Sequence, residues 1–258
     1  LLEAARLWDA PHYRELGEVV LWQVKTREVT EVFGIGPMLI PAPAGFRLAN
    51  GNWRLNPSYL PEFQLRRLMQ ADASGPWREV WNSHLALLRK AAVAGIAPDW
   101  YEVDAQGAVL PDTQTQGVGS YDAIRNYLWA GMTRLPEGRR NTPLALLSGF
   151  GGVIERMRAV PEFINPQTRA SWGGAPLGFS AAVLPYLKAL DDDTNTGLQL
   201  ERLRQNRLNG NLGSPAHYYD QVLALFGEGW AQQRYRFDET GQLIPKWQER
   251  WFDSWRSH

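Results

Sequence analysis

The chain has 258 residues, which suits one large domain or two small ones, and its 27 basic and 27 acidic side chains give a formal net charge of zero. Balanced charge argues against nucleic acid as the main partner, because phosphate binding needs a clustered basic surface, and the sequence has no run of ~18 apolar residues that would span a membrane. Cysteine is absent, which excludes disulfides, zinc-thiolate sites and thiol nucleophiles.

Helical periodicity begins with the first residues, Leu1–Trp8, with no cap, no initiating Met and no signal-peptide pattern before them. We therefore expect that the true beginning of the protein lies upstream. A second helix is predicted from Pro11 to about Arg27, and the glycines and prolines of residues 34–56 predict a long ordered loop with short strands. Further helices are predicted for Pro61–Gln70, Pro76–Ala94, Tyr121–Met132, Pro143–Arg158, Phe179–Leu190, Gly197–Leu208 and Pro215–Phe226.

Two short hairpins interrupt this helical pattern. Residues 99–111 alternate about a glycine turn, and residues 234–245 turn at 238–241. The aspartate run at 191–193 is interpreted as a solvated turn and helix cap. No domain linker or repeat separates the roughly nine helical segments, so we expect one all-α domain with long loops at one end.

Several kinds of site are not expected from the sequence. The four histidines, His12, His84, His217 and His258, are far apart, so no metal site is predicted. The glycines at 149–152 follow no strand and precede no Lys-Ser/Thr pair, which favours a packed helix over a phosphate loop. No Gly-x-Ser-x-Gly motif is present. We expect chemistry based on carboxylates, arginine and aromatic rings, with no cofactor.

The segment 119–129 contains the clearest acid-base pattern. Ser120 is the predicted N-cap of a helix whose first turn contains Tyr121 and Asp122, and Arg125 lies three residues further on the same face. The helix N-terminus and the guanidinium both favour an ionised carboxylate, which a general base requires. The alternative is an ordinary first-turn aspartate with a surface ion pair.

A second cluster, residues 52–61, presents Trp53 and Tyr59 on a proline-rich loop that leads into a helix. Loops of this kind place aromatic and polar groups at the mouth of a site, and aromatic faces suit the C–H faces of sugar rings. The high count of 12 Trp residues agrees with a carbohydrate ligand. The alternative is a capped loop in which both rings are buried as packing.

Four motifs occur in order: Asn56-Pro57-Ser58-Tyr59-Leu60-Pro61, Ser120-Tyr121-Asp122-Ala123-Ile124-Arg125, Gly178-Phe179-Ser180-Ala181-Ala182 and Tyr218-Tyr219-Asp220-Gln221-Val222-Leu223. The flanking segments are Ala97-Pro98-Asp99-Trp100 and Leu225-Phe226-Gly227-Glu228-Gly229-Trp230. With these motifs, essentially the whole chain resembles the family 8 glycoside hydrolases. The resemblance implies an (α/α)₆ barrel, inverting endo-hydrolysis of β-1,4-glucan (cellulose) without a cofactor, and a periplasmic or secreted protein that acts beside the cellulose synthesis and export machinery.

The resemblance also implies a role for individual residues. Asp122 matches the family's catalytic base, and Tyr121 and Arg125 match the groups that hold this aspartate and the sugar. The further residues that match substrate-contacting positions are Tyr59, Trp53, Tyr218 and Tyr219. For Tyr218 and Tyr219, packing in the core remains an equal alternative.

The sequence departs from the family pattern at its start. The proton-donating Glu belongs to a Glu-Gly-x-Ser-Tyr-Gly-Met type motif that is not found here, and only the end of the following signature is present, as Leu1–Trp8. We therefore expect residues 1–258 to be a family 8 catalytic domain without its N-terminal helices, with about nine of twelve. Carboxylates considered as substitutes for this Glu are Glu62, Asp99, Glu102 and Asp220. Two other functions remain open: a glucan-binding or assembly component without catalysis, and a related hydrolase of xylan or chitosan.

Overall fold

The helices of the chain carry most of its regular structure. The computed structural model describes residues 1–133 and 142–248. Its helices are α1 (Leu2–Trp8), α2 (Pro11–Arg27), α3 (Glu62–Ala71), α4 (Trp77–Ala91), α5 (Ile124–Met132), α6 (Thr142–Leu146), α7 (Gly149–Met157), α8 (Leu177–Ala182), α9 (Leu184–Ala189), α10 (Asp193–Gln205) and α11 (Tyr218–Ala231). The predicted helix-rich class is confirmed.

The strands are short and pair in antiparallel order with near neighbours. They are β1 (Val29–Val32), β2 (Gly36–Leu39), β3 (Trp53–Leu55), β4 (Tyr101–Val103), β5 (Val109–Pro111), β6 (Pro161–Ile164), β7 (Ser171–Gly174), β8 (Arg207–Leu208), β9 (Asn211–Leu212), β10 (Tyr235–Phe237) and β11 (Leu243–Pro245). Both predicted hairpins are present, as β4–β5 and β10–β11. Strand β3 joins the first of them and makes a three-stranded sheet.

Several predicted helices are divided or shifted. The helix predicted for 179–190 breaks at Val183, because Pro185 lacks the N–H that a continuous helix would use. The helix predicted for 143–158 divides into α6 and α7, and at Gly149 a side chain would overlap the carbonyl oxygen of Ala94. The helix predicted from residue 197 begins already at Asp193, where the carboxylate of Asp192 accepts the Asn195 N–H at 3.0 Å. The aspartate run is therefore a helix cap, as predicted.

Two main clusters of buried apolar side chains fill the described part of the chain. The first surrounds α5 and includes the rings of Tyr127, Phe150 and Tyr186, with the first two stacked at 4.0 Å. The second lies between α4 and the strands β1 to β4, around Trp77 and Tyr101. The N-terminal end of α5 faces the 3₁₀ turn Pro57–Tyr59, which follows β3, and this junction positions the site described below.

Helix α2 differs from the others in its surroundings. Gly17 is its buried residue, whereas four apolar side chains of α2 are exposed: Leu16, Val19, Val20 and Trp22. Within residues 1–133 and 142–248, the apolar stretches of the helices are too short or too polar to cross a bilayer.

Candidate active site

The turn Ser120–Ala123 precedes α5 and is held by a carboxylate distant in sequence. One oxygen of Asp99 accepts the backbone N–H groups of Ser120 at 2.7 Å, Asp122 at 3.0 Å and Ala123 at 2.6 Å. The hydroxyl of Ser120 instead donates to the carbonyl oxygen of Glu162 at 2.6 Å. The prediction that Ser120 caps this helix is therefore wrong: α5 begins at Ile124, and Asp99 takes the free N–H groups.

The carboxylate of Asp122 has a donor on each oxygen. The indole N–H of Trp100 donates to Oδ2 at 2.8 Å, and Nη2 of Arg125 donates to Oδ1 in a short ion pair. The side chain of Asp122 remains 26% exposed, so water reaches it. These two donors fix the plane of the carboxylate.

Arg125 connects Asp122 to two other elements. Its guanidinium donates to the hydroxyls of Ser58 at 2.9 Å and Tyr219 at 3.0 Å, and to the carbonyl oxygen of Tyr121 at 3.2 Å. Burial lowers the pKa of Arg125, but Tyr219 and Asp122 raise it by more, so the net pKa lies above the ordinary value. The side chain is thus a fixed cation that orients the carboxylate.

Tyr59 lies beside this network at the surface. Its ring is 44% exposed, meets the ring of Trp100 edge-on with centroids 5.7 Å apart, and has the Arg125 guanidinium carbon 5.7 Å from its centroid. Burial and the charge of Asp122 raise the pKa of Tyr59, although Arg125 and Arg54 oppose this. Tyr59 therefore offers a neutral aromatic face next to Asp122.

Trp100 is fixed by stacking as well as by its N–H group. The guanidinium carbon of Arg54 lies 4.1 Å from the Trp100 centroid, and the ring of Phe46 stacks nearly parallel to it at 5.8 Å. Arg54 is in turn held by the buried carboxylate of Asp112, with a nitrogen to oxygen distance of 2.7 Å. These contacts make Trp100 a support for Asp122 rather than an open platform.

Tyr121 and Tyr219 complete the cluster. The Tyr219 hydroxyl donates to the carbonyl oxygen of Tyr121 at 2.5 Å, and the Tyr121 hydroxyl donates to Glu162 at 2.9 Å. Tyr121 is 42% exposed, and its pKa is raised by burial and by Glu162. The structure therefore brings together five of the predicted site residues: Asp122, Tyr121, Arg125, Tyr59 and Tyr219.

Trp53 and Tyr218 lie apart from these contacts. Trp53 points to the opposite face of β3 from its neighbour Arg54, packs against the second core and has the guanidinium of Arg47 5.4 Å from its ring. Packing therefore accounts for Trp53, and its predicted stacking role has no support from these contacts. Tyr218 is 83% exposed at the first position of α11, where it projects away from Tyr219.

Sequence reasoning gave no site role to Trp100, Ser58 or Glu162, and it considered Asp99 only as a substitute for the proton-donating Glu. The sequence could have pointed to three of these residues, because Asp99, Trp100 and Ser58 lie inside the segments that carry the family resemblance. Burial raises the pKa of Asp99 to about 6, against the three backbone N–H groups that lower it, and the charge of Asp122 raises it further. Asp99 is thus a titratable group directly beneath the Asp122 turn.

The other carboxylates considered as proton donors make separate bonds. Glu62 accepts from Arg66 at 2.5 Å, and its pKa is raised by burial, which the Arg66 charge opposes. Glu102 is held by Asn52 and Thr113, and Asp220 accepts the Gly178 N–H at 2.9 Å. Of these four carboxylates, Asp99 is the one that bonds to the backbone N–H groups of the Asp122 turn.

No arrangement of acidic or imidazole ligands suited to a metal ion occurs in residues 1–133 and 142–248. His84 is buried without a charged partner, and burial lowers its pKa to about 4. His258 lies outside the described residues.

Comparison with known proteins agrees with the motifs. The family model described as glycosyl hydrolases family 8 matches residues 1–233. The chain is 42% identical over 247 residues to an endoglucanase of Xanthomonas axonopodis pv. citri (strain 306), and 39% identical over 248 residues to one of Salmonella typhi. These alignments cover 96% of the chain but only 63% and 64% of the relatives, so the chain spans less than two thirds of their length.

Solved structures show the same fold. The endo-1,4-D-glucanase of Vibrio fischeri ES114 superposes with a TM-score of 0.86 at 37% identity, covering 96% of this chain and 71% of that one. An endo-β-1,4-glucanase of Acetobacter xylinum superposes with a TM-score of 0.65 at 23% identity, over 87% of this chain and 65% of that one, and supports the fold alone. The helix-rich fold is that of the barrel family that the resemblance implied.

Proposed function

The chain belongs to glycosyl hydrolase family 8, and on that premise we propose that its protein is an endo-β-1,4-glucanase that hydrolyses cellulose with Asp122 as general base. The observation that carries this proposal is the pair of donors, Trp100 and Arg125, on the two oxygens of a carboxylate that solvent still reaches. The name endoglucanase, shared by relatives at 35–42% identity, supplies the substrate class.

In the proposed reaction Asp122 removes a proton from a water molecule as that water attacks the anomeric carbon. Attack from the face opposite the leaving oxygen inverts the configuration at this carbon. A second carboxyl group, ~6.5–9.5 Å from the base, protonates the leaving oxygen. We assign only the base to the described residues, because Glu62, Asp99, Glu102 and Asp220 are all engaged in other bonds.

The neighbouring groups have supporting roles in this proposal. Arg125 holds the Asp122 carboxylate by a charge-assisted hydrogen bond and so keeps it turned toward the attacking water. Tyr59 and Tyr121 are both half exposed in this cluster and offer flat faces to the sugars. Tyr219 fixes both Arg125 and the Tyr121 backbone. Trp53 and Tyr218 are proposed only as more remote contacts.

We extend the proposal to the cellular setting, a periplasmic or secreted protein that acts beside cellulose synthesis and export. The support is the motif pair at residues 56–61 and 120–125, together with a net charge of zero that suits an uncharged polysaccharide. Cell fractionation tests this setting. Recovery of the mature protein in the cytoplasm alone would contradict it.

The test of the base is Asp122→Asn, which keeps the shape and removes the proton-accepting charge. We expect the loss of viscosity of carboxymethylcellulose to slow by about 10²–10⁴-fold, the usual contribution of a general base, while binding of cello-oligosaccharides persists. Asp193→Asn, an exposed first-turn residue of α10, is the matched control and should leave the rate unchanged. Undiminished activity in Asp122→Asn would disprove the assignment.

A second candidate function is glucan binding without hydrolysis. The observation in its favour is that Tyr59 and Tyr121 leave exposed aromatic faces beside Asp122, which would hold a sugar whether or not its bond is cleaved. Strong binding of cello-oligosaccharides with no cleavage by the wild-type protein would select this alternative. Parallel assays on xylan and chitosan test the third possibility, since preferential hydrolysis of either would replace cellulose as the substrate.

A further inference from the structure

A stacked pair of aromatic rings, the half-buried Phe163 and the exposed Trp172, lies on the hairpin β6–β7, outside the predicted site residues. Trp172 of β7 stands directly opposite Phe163 of β6, and their rings stack with centroids 5.7 Å apart and planes 16° from parallel. Trp172 is nevertheless 47% exposed. Because Phe163 covers one face of the indole, the exposed area belongs to its other face and its edge.

This pair continues toward the candidate active site. The ring of Phe163 meets that of Tyr121 at 6.5 Å in an edge-to-face arrangement, and Tyr121 is adjacent to Asp122 in the chain. Tyr121, Phe163 and Trp172 therefore form a row of three rings that starts beside the proposed base. We call these three residues the aromatic row.

The hairpin is rigidly attached to the turn that carries Asp122. Gly119 and Ile164 exchange two backbone hydrogen bonds, at 2.8 and 2.9 Å, and Ser120 donates to the carbonyl oxygen of Glu162 at 2.6 Å. The Tyr121 hydroxyl adds a bond to the Glu162 side chain at 2.9 Å. The distance from the base to the far end of the aromatic row is thus fixed by backbone pairing.

The surface next to Trp172 is open. Two glycines follow it, and a side chain placed on Gly174 would meet nothing within 4 Å, whereas Gly173 has a positive φ of 73° and lies against Glu162 and Phe163. The strand beside Trp172 is therefore uncovered at Gly174, in agreement with the exposure of the indole. Aromatic faces with adjacent polar groups are typical of small-molecule sites in proteins.

We propose that Trp172, supported by Phe163, is an outlying sugar-binding subsite that holds a β-1,4-linked glucan chain beyond the sugar that contacts Tyr121. This proposal rests on the function proposed for Asp122, because the ligand is the same glucan. The apolar C–H face of a pyranose would stack on the free face of Trp172. The competing explanation is that Trp172 only stabilises the hairpin as a cross-strand partner of Phe163.

The experiment compares ligands of two lengths in the Asp122→Asn background, so that hydrolysis does not consume them. Cellobiose and cellohexaose are titrated against the parent protein, Trp172→Ala and Trp172→Phe by isothermal calorimetry. Cellobiose is too short to contact the Tyr59 and Tyr121 region and Trp172 at the same time, whereas cellohexaose is long enough to contact both. Trp22→Ala, another half-exposed indole on α2, is the matched control.

For Trp172→Ala we expect the dissociation constant of cellohexaose to rise about tenfold, as for the loss of one stacked aromatic anchor, and that of cellobiose to change less than about twofold. Trp172→Phe, which keeps a flat ring, should retain most of the affinity. Equal changes for both ligands, or none, would overturn the subsite. If the parent protein binds neither ligand, the proposed function itself fails and the subsite fails with it.

Discussion

Helices α5 and α2 were predicted with the same periodicity and have very different surroundings. In α5, the first residues carry Arg125 of the site and the last turn packs against α9, so most side chains are buried. In α2, which is nearly twice as long, Gly17 is the buried residue while Leu16, Val19, Val20 and Trp22 are exposed. Periodicity shows which residues share a face, but it does not show whether another element covers that face.

The two helices also differ in how many hydrogen bonds connect them to distant parts of the chain. The turn before α5 is held by Asp99, Trp100 and Glu162, which come from three other parts of the chain. In α2 the hydroxyl of Thr26 bonds within its own helix, and Lys25 bonds to Asp72, which follows α3, at 2.7 Å. Because the turn before α5 is bonded to more distant parts of the chain, we expect substitutions around α5 to cost the most stability.

The largest effect is expected where α5 crosses α9. A methyl group on Gly131 would collide with the backbone of Pro185 and Tyr186, which no side-chain rotation relieves. We expect Gly131→Ala to lower the free energy of unfolding by about 3 kcal/mol, measured by urea denaturation.

The matched substitution on α2, Gly17→Ala, should not lower the free energy of unfolding. At Gly17 an added methyl group meets the tip of the flexible Leu2 side chain at 3.0 Å, and alanine favours helix over glycine. Gly17→Ala should leave stability unchanged or raise it by less than about 1 kcal/mol. Similar losses for both variants would show that the two helices are packed alike in solution.

A smaller effect is expected for Trp100→Phe, which keeps the ring under Arg54 but removes the N–H donor to Asp122. A hydrogen bond to a charged group contributes about 1.5–3 kcal/mol, so kcat on a soluble cellulose derivative should fall by about 10- to 100-fold with little change in KM. Trp22→Phe on α2 is the control and should keep full activity. An unchanged kcat in Trp100→Phe would remove Trp100 from the support of the base.

The smallest effect concerns pH. Burial raises the pKa of Asp99 to about 6, so the folded chain binds this proton more tightly than the unfolded chain does. The resulting stability is complete below the ordinary pKa, about 4, and is lost as the pH rises through about 6. The groups around Asp99 that also carry charge or titrate are Asp122, Tyr127 and Tyr219. Helix α2 has no buried titratable side chain.

Asp99→Asn removes this titration and keeps an oxygen that accepts backbone N–H groups. We expect the wild type to lose stability relative to Asp99→Asn as the pH rises from about 4 to about 7. The measure is the free energy of unfolding of the wild type minus that of the variant, obtained by urea unfolding at both pH values. Parallel curves for the two proteins would mean that Asp99 does not titrate in this range.

The local features of the chain were predictable from the sequence because they depend on neighbouring residues. Helical periodicity, the hairpin turns and the Asp192 cap involve residues within a few positions of each other. The pairing of Asp122 with Arg125 follows from their three-residue spacing on a helical turn. The motifs around these residues also carried the family resemblance.

Only the tertiary structure decided which groups surround Asp122. The cap of its turn comes from Asp99, more than twenty positions upstream, rather than from the adjacent Ser120. Trp53 and Tyr59 lie six positions apart on one segment, yet Trp53 packs in the second core and Tyr59 faces the site. Their positions depend on strand pairing and on helices that meet from distant parts of the chain, and such contacts leave no periodic signal in the sequence.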